Sequence, residues 1–193
     1  MGHSTGSQDV IHYLSSSSST FSPLAPVQGR IMHAPISDRE YFESNSAEGD
    51  DWGWGAQLEI AKGLIVEEQS QQVLDRNFCQ TVGGPVTAYR LHSLVGVGGD
   101  DDYFSSDLPD TLENNPMNHK HPLSTSFGRL SAPALAIYSK KDETCRLPDI
   151  SATLDRWTSA AGAKLETVIL EGAGHSVDVR WLATDSVSSQ LDG

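Results

Sequence analysis

Apolar residues occur along the chain in short runs that predict β-strands, with helix-like stretches between them. Two runs are typical of buried strands, at 132–139 (APALAIYS) and 165–170 (LETVIL), and another strand is predicted in the first half of 27–36. Between the two later runs, apolar residues recur at helical spacing within 148–161, which predicts an amphipathic helix. This alternation favours an α/β fold, with a parallel sheet and flanking helices.

Further helices are predicted from shorter patterns. They are the stretches 8–14 (QDVIHYL), 56–74 with one apolar side, and the more weakly patterned 177–191. Ser37 and Glu40 have the Ser-x-x-Glu spacing of a capping box, which predicts a short helix through Phe42.

One long segment, 83–107, is rich in glycine and aspartate, and we predict a lid or loop there rather than core. It lies within 45–128, which we predict to be a lid or cap insertion in a single domain of residues 1–193. Its acidic end, 98–107, has two interpretations: it favours a substrate that bears amines, or it is a solvated loop. The alternating aspartates of a calcium-binding loop are absent, because the three aspartates at 100–102 are consecutive.

The charge of the chain narrows the class of its partners. The 193 residues include 13 Lys+Arg and 26 Asp+Glu, a formal net charge of −13. This balance argues against binding to nucleic acid or to an anionic membrane surface. The start of the chain resembles no signal peptide, and two cysteines are too few for a disulfide framework, so we expect a cytoplasmic setting.

The most informative motif is Gly2-His3-Ser4-Thr5-Gly6, which has the form G-x-S-x-G. In a nucleophile elbow, this pattern places the serine on a tight turn between a strand and a helix, with its hydroxyl exposed. The flanking glycines allow the close backbone approach that the turn demands. The N–H of Thr5 would then lie at a helix N-terminus, where it can help to stabilise an oxyanion.

An acid and a base follow the two later predicted strands. Asp142 comes just after 132–139 and His175 just after 165–170. The chain order serine, aspartate, histidine is that of α/β-hydrolases, and sites of open α/β sheets form at this edge. Serine needs an imidazole to accept its proton, and the imidazole needs a carboxylate to orient it. Glu143 and Asp38 remain alternatives for the acid.

Other histidines suggest no metal site. His119 and His121 could pair at a metal, but no further ligands stand at suitable spacing. The remaining ones, at positions 3, 12, 33 and 92, are interpreted as ordinary surface or core residues.

The chain resembles the α/β-hydrolase superfamily, and within it the fungal and plant domain-of-unknown-function family 1749. The matching stretches are MGHSTGSQDVIHYL (1–14), HAPISDRE (33–40), GGDDDYFSSDL (98–108), ALAIYSKKDE (134–143) and EGAGHSV (171–177). The resemblance implies an α/β-hydrolase fold with an insertion over the site and a triad of Ser4, Asp142 and His175. That group includes fungal esterases that open the ester bonds of hydroxamate siderophores. The resemblance therefore implies hydrolysis of a small-molecule ester as the partner, and no metal or organic cofactor.

The chain differs from the family pattern in the length of sequence before the nucleophile elbow. A complete α/β-hydrolase has several strands before the elbow, at about 30 residues for each βαβ unit, whereas here the elbow serine is residue 4. We therefore expect a fragment, an alternative start or a mis-predicted gene product, lacking the N-terminal strands and the second oxyanion donor. Two other functions stay open: a catalytically impaired fragment with no activity of its own, and acyl transfer in place of hydrolysis.

Overall fold

A parallel four-stranded sheet forms the centre of the computed structural model, which describes residues 1–16, 27–47, 53–145 and 147–176. Its strands stand in sequence order and are β1 (Gly2–His3), β2 (Arg30–His33), β3 (Ala134–Ser139) and β4 (Leu165–Leu170). Every neighbouring pair is parallel, which confirms the predicted pairing. The carboxyl ends of all four strands therefore meet at one edge of the sheet.

The two later strands lie where the sequence predicts them, and β2 lies later than expected. The prediction put a strand in the first half of 27–36, but pairing begins only where the Arg30 N–H donates to the Pro133 carbonyl at 3.0 Å. The strand ends at His33 because Ala34 has a φ of +48°, which leaves the extended region.

Six α-helices are described, and together with two short 3₁₀ turns they connect the strands. They are α1 (Gly6–Ser15), α2 (Asp38–Ala47), α3 (Trp54–Val66), α4 (Arg76–Thr81), α5 (Ala88–Val95) and α6 (Ile150–Ala161), with 3₁₀ turns at Phe127–Arg129 and Gly162–Lys164. Each described helix is too short or too polar to reach across a bilayer. The helix predicted at 177–191 lies outside the described residues.

Two helix predictions are corrected at their ends. The helix predicted over 56–74 stops at Val66, because Glu68 turns into the left-handed region with a φ of +62°. The helix predicted through Phe42 continues to Ala47 as α2.

Half of the predicted capping box forms at the start of α2. Ser37 Oγ accepts the Glu40 N–H at 3.1 Å, as the motif requires. The Glu40 carboxylate turns away from the helix start and accepts the backbone N–H of Ser106 at 2.8 Å. The capping-box glutamate therefore joins α2 to a distant segment.

The main hydrophobic core lies between the sheet, α1 and α6. Trp157 of α6 is almost fully buried, and its ring stacks on Phe127 with centroids 4.7 Å apart. Tyr103 and Phe104 belong to this core with exposed fractions of 2% and 0%. The prediction of a lid or loop rather than core over 83–107 is therefore wrong for these two aromatic residues.

A second, smaller core lies among α3, α4 and α5. Its buried members include Leu58, Phe78, Leu91 and Val95. Helix α5 also falls within the segment predicted as lid or loop, and its amphipathic pattern buries one face. The extent of the cap, 45–128, stays a prediction.

Candidate active site

Ser4 lies on the turn between β1 and α1. Its φ of +55° is in the left-handed region, which few residues other than glycine adopt. The Ser4 N–H donates to the carbonyl of His33, the last residue of β2, at 2.9 Å. Helix α1 starts two residues later, so the chain passes from strand to helix through a strained serine. This is the local geometry of a nucleophile elbow.

The two motif glycines play unequal parts in this turn. A Cβ on Gly2 would stand 2.0 Å from the carbonyl oxygen of Gly6, which no side chain can occupy. A Cβ on Gly6 would meet no atom within 4 Å. The turn thus requires glycine at residue 2, because the backbone of Gly6 crosses directly over it.

Thr5 offers a free backbone donor at the start of α1. Among the described residues, its N–H has no hydrogen-bond acceptor, although the N–H groups of Ser7 and Gln8 donate to the carbonyls of Ser4 and Thr5. A free N–H at a helix N-terminus can stabilise a developing negative charge on a bound ligand.

Asp142 and His175 form a carboxylate–imidazole pair at the carboxyl edge of the sheet. His175 Nδ1 lies 2.9 Å from Asp142 Oδ2 and 3.0 Å from Oδ1. The Asp142 side chain is fully buried, while that of His175 is 14% exposed. With Nδ1 bound in this way, Nε2 is the ring nitrogen that remains for a reacting proton.

The loop around Asp142 stabilises its charged form. Burial acts to raise the pKa of Asp142, but hydrogen bonds from Thr144 and His175 outweigh it and bring that pKa below its usual range. Thr144 donates twice, from its N–H at 2.9 Å and from its hydroxyl at 2.7 Å. Asp142 therefore stays a carboxylate at neutral pH, as an acceptor for the imidazole N–H requires.

The two alternative acids have other partners. Glu143 Oε2 accepts the backbone N–H of His175 at 3.1 Å and so fixes the loop that carries the imidazole. Asp38 accepts hydrogen bonds from Thr5 and Gln8. Within the described chain, neither carboxylate bonds to the His175 ring, so the geometry favours Asp142 over both.

Ser4 and His175 are close in the fold but not hydrogen-bonded. No bond links Ser4 Oγ to the His175 ring among the residues that the structure describes. The adjacent His3 donates from Nε2 to the His175 carbonyl at 3.1 Å, and the two rings lie 4.8 Å apart between centroids. The elbow and the base loop are thus held against each other through His3. Catalytic hydrogen bonds of this kind are often long in free enzymes and tighten on substrate binding.

The sequence interpretation missed a histidine at this edge. His33 ends β2, is 9% exposed, and its ring lies 4.8 Å from that of His3. Its Nε2 is buried and has no hydrogen-bond partner within the part of the chain that the structure describes. Burial lowers the pKa of His33, and the neighbouring imidazoles of His3 and His175 lower it further. The rule that places Asp142 and His175 at the carboxyl edge applies equally to His33, and so could have found it.

The acidic segment is tied down by ion pairs and hydrogen bonds. Asp100 accepts from Tyr89 and Lys120, and Asp101 accepts from Arg90 and Ser93. His121 Nε2 donates to the Asp100 carbonyl at 2.8 Å, and its ring stacks on Tyr103. These partners neutralise most of the negative charge of 98–107 within the protein. The segment therefore differs both from a free acidic surface for an amine-bearing substrate and from a solvated loop. No cluster of three or more metal-ligating side chains occurs in the described ranges.

Comparison with known proteins gives the family context of this site. The family described as "Protein of unknown function (DUF1749)" matches residues 1–191. An esterase of Emericella nidulans is 28% identical over 230 residues, covering 92% of this chain and 59% of the esterase. A fusarinine C esterase of Aspergillus fumigatus is 28% identical over 199 residues, covering 88% of this chain and 55% of that protein.

A solved structure supports the same grouping. The chain superposes on the siderophore hydrolase EstB of Aspergillus fumigatus with a TM-score of 0.72 and 27% identity, covering 91% of this chain and 58% of EstB. The parallel sheet with flanking helices is therefore the α/β-hydrolase fold. The chain spans between half and two thirds of the length of these relatives.

Proposed function

We propose that this chain, which belongs to the DUF1749 family, hydrolyses carboxylic esters with Ser4 as its nucleophile. One observation carries the proposal: a buried carboxylate holds the His175 imidazole at 2.9 Å, at the sheet edge where a serine occupies a strained elbow. Serine, imidazole and carboxylate in this chain order are the groups that acyl transfer to serine requires.

The proposed reaction follows from the role of each group. His175 Nε2 accepts the proton of Ser4 Oγ as the oxygen attacks the ester carbonyl, and Asp142 stabilises the resulting imidazolium. The Thr5 N–H stabilises the oxyanion of the tetrahedral intermediate. His175 then protonates the leaving alcohol, and water releases the acid from the acyl-enzyme by the reverse sequence of proton transfers. Because protonated imidazole cannot accept the serine proton, we expect turnover to fall toward acid pH.

We further propose that the ester belongs to a hydroxamate siderophore. The relatives support this class, since one is named a fusarinine C esterase and the superposed structure is named a siderophore hydrolase. Their names also favour hydrolysis over transfer to another acceptor.

Turnover of a defined ester tests this function. The purified chain should release hydroxyacid from fusarinine C faster than it hydrolyses p-nitrophenyl acetate. Replacing Ser4 or His175 by Ala should lower kcat by at least about a thousandfold, because members of such a triad act as a unit. The control is Ser16→Ala, an exposed serine at the end of α1, which should keep wild-type turnover.

Two results would contradict the proposal. Wild-type turnover equal to that of Ser4→Ala would show that the chain is not a serine hydrolase. Formation of a new ester or amide with an added alcohol or amine, in place of free acid, would assign it to acyl transfer.

A further inference from the structure

Asp38 lies against the elbow although it is far from it in sequence. Its Oδ1 accepts the Thr5 hydroxyl at 3.2 Å, and its Oδ2 accepts the Gln8 side-chain amide at 2.7 Å. Thr5 directly follows the nucleophile, and Gln8 lies in the first turn of α1. One carboxylate thus binds both the residue after Ser4 and the helix that this residue starts.

The Thr5 hydroxyl is hydrogen-bonded to Asp38 and not to its own helix. A threonine at a helix N-cap usually accepts a backbone N–H from the first turn. Thr5 is the N-cap of α1, but its φ of −49° and ψ of −31° are helical, and its hydroxyl makes no such bond and donates to Asp38 instead. Its backbone N–H, in turn, has no acceptor among the described residues. The side chain is fixed by Asp38 while the N–H stays free for a ligand.

Asp38 is itself held by the residues on either side. Ser37 Oγ lies 2.6 Å from Ser105 Oγ, and Arg39 Nε donates to Asp102 at 3.2 Å. Glu40 accepts the Ser106 N–H. The four residues 37–40 therefore anchor the start of α2 on the segment 102–106 and present only Asp38 to the elbow. Two stretches that carry the family resemblance, 33–40 and 98–108, contact each other here.

We propose that Asp38 is a positioning residue that holds Thr5 so that its N–H points to the oxyanion. This inference rests on the proposed ester hydrolysis. Asp38 acts through Thr5 and Gln8 and does not touch the reacting atoms. It replaces the earlier alternative of Asp38 as the triad acid, since both of its oxygens are bound on the elbow side.

The test compares Asp38→Ala with Asp38→Asn. Asp38→Ala should lower kcat by about tenfold to a hundredfold with KM changed less than threefold, because a displaced donor loses transition-state contact. Asp38→Asn should recover kcat to within about fivefold. The introduced amide oxygen accepts the Thr5 hydroxyl, and its N–H₂ donates to Gln8 Oε1 once the Gln8 amide has flipped. In wild type this oxygen is buried with no partner among the described residues.

Two measurements separate positioning from a general loss of folded protein. All kcat values are divided by the concentration of sites titrated with a fluorophosphonate, so misfolded molecules do not count. Hydrogen exchange of the Gln8 backbone amide, which donates to the Thr5 carbonyl at 3.0 Å, is followed by NMR and should be faster in Asp38→Ala than in wild type. The matched control is Asp9→Ala, an exposed carboxylate in the first turn of α1, which should change neither quantity.

Each outcome supports or overturns the inference. Absence of Ser4-dependent turnover in wild type overturns the proposed function and this inference with it. An active wild type with Asp38→Ala within twofold of its kcat overturns the inference alone. If Asp38→Ala fails to fold, Thr5→Val removes only the hydroxyl that Asp38 accepts. A fall in kcat of about tenfold for that variant supports the inference, and unchanged kcat overturns it.

Discussion

Strain at Ser4 is balanced by close contacts within the elbow. The left-handed φ of a non-glycine residue costs on the order of 1–3 kcal/mol and persists only where the surroundings enforce it. Here the Ser4 N–H is bound to His33, and the Ser7 hydroxyl donates to the carbonyl of the same histidine at 3.2 Å. The end of β2 thus fixes the turn that exposes Ser4.

The motif glycines allow a prediction with an internal control. Gly2→Ala should lower the free energy of unfolding by about 1–3 kcal/mol, because the new Cβ would collide with the Gly6 carbonyl oxygen at 2.0 Å. Gly6→Ala should change it by no more than about 1 kcal/mol, and in the stabilising direction, because its Cβ enters open space at a helical position. Urea unfolding of both variants measures this contrast, and equal destabilisation would contradict the elbow geometry.

Single residues were predictable where a motif or a strand end marks them. The elbow pattern indicated Ser4 and Thr5, and the strand-end rule indicated Asp142 and His175. The partners of Asp38 were not predictable, because a contact between α2 and α1 depends on how two helices pack after the sheet has formed. His33 was overlooked because the strand was predicted in the first half of 27–36, so that His33 did not fall at its end.

At the scale of elements, the first turn of α2 joins two distant parts of the chain. Arg39 and Asp102 have side-chain exposures of only 5% and 2%, so their ion pair is shielded from water. Burial acts to lower the pKa of Arg39, and the carboxylates of Asp102 and Asp107 outweigh it, so the guanidinium stays charged. Replacing one residue of such a pair lowers the stability of the fold strongly, since the other charge stays buried without its counter-ion.

A comparison of this buried ion pair with an exposed one tests how much Arg39 and Asp102 stabilise the fold. Arg39→Met should lower the free energy of unfolding by about 3–5 kcal/mol, because the buried Asp102 carboxylate loses its guanidinium partner and keeps only the Ser105 hydroxyl and the His119 ring beside it. Lys62→Met breaks an exposed pair with Glu59, whose side chains are 46% and 72% exposed, and should cost at most about 1 kcal/mol. Chemical denaturation gives both values, and a cost for Arg39→Met no larger than that for Lys62→Met would contradict a structural role of the buried pair.

Elements with a strong local pattern were predicted well. Strands β3 and β4 and helix α6 have apolar residues at the period of their own structure, so their positions follow from sequence. Helix α3 is shorter than predicted, because the left-handed φ of Glu68 stops the helix at Val66 and the apolar pattern gives no sign of this. Helix α5 was missed because the glycines on both sides and the aspartates after it hide its short amphipathic pattern.

For the whole molecule, the strand order determines which residues meet. Parallel pairing of β1 with β2, of β2 with β3 and of β3 with β4 brings the ends of all strands to one edge. Ser4, Asp142 and His175, which are far apart in sequence, follow the ends of β1, β3 and β4 there. The fold class and its parallel sheet were predictable from alternation, whereas the second core around α5 was not, because it forms by packing between helices.

The role of Ser4 as nucleophile is tested most sharply by identifying the residue that reacts with a fluorophosphonate. The wild-type chain is incubated with the probe, digested and mapped by mass spectrometry, beside Ser4→Ala treated in the same way. If Ser4 is the nucleophile, a single adduct forms on the peptide that contains Ser4, and none forms on Ser4→Ala. Equal labelling of both proteins, or an adduct on another serine, would contradict this role.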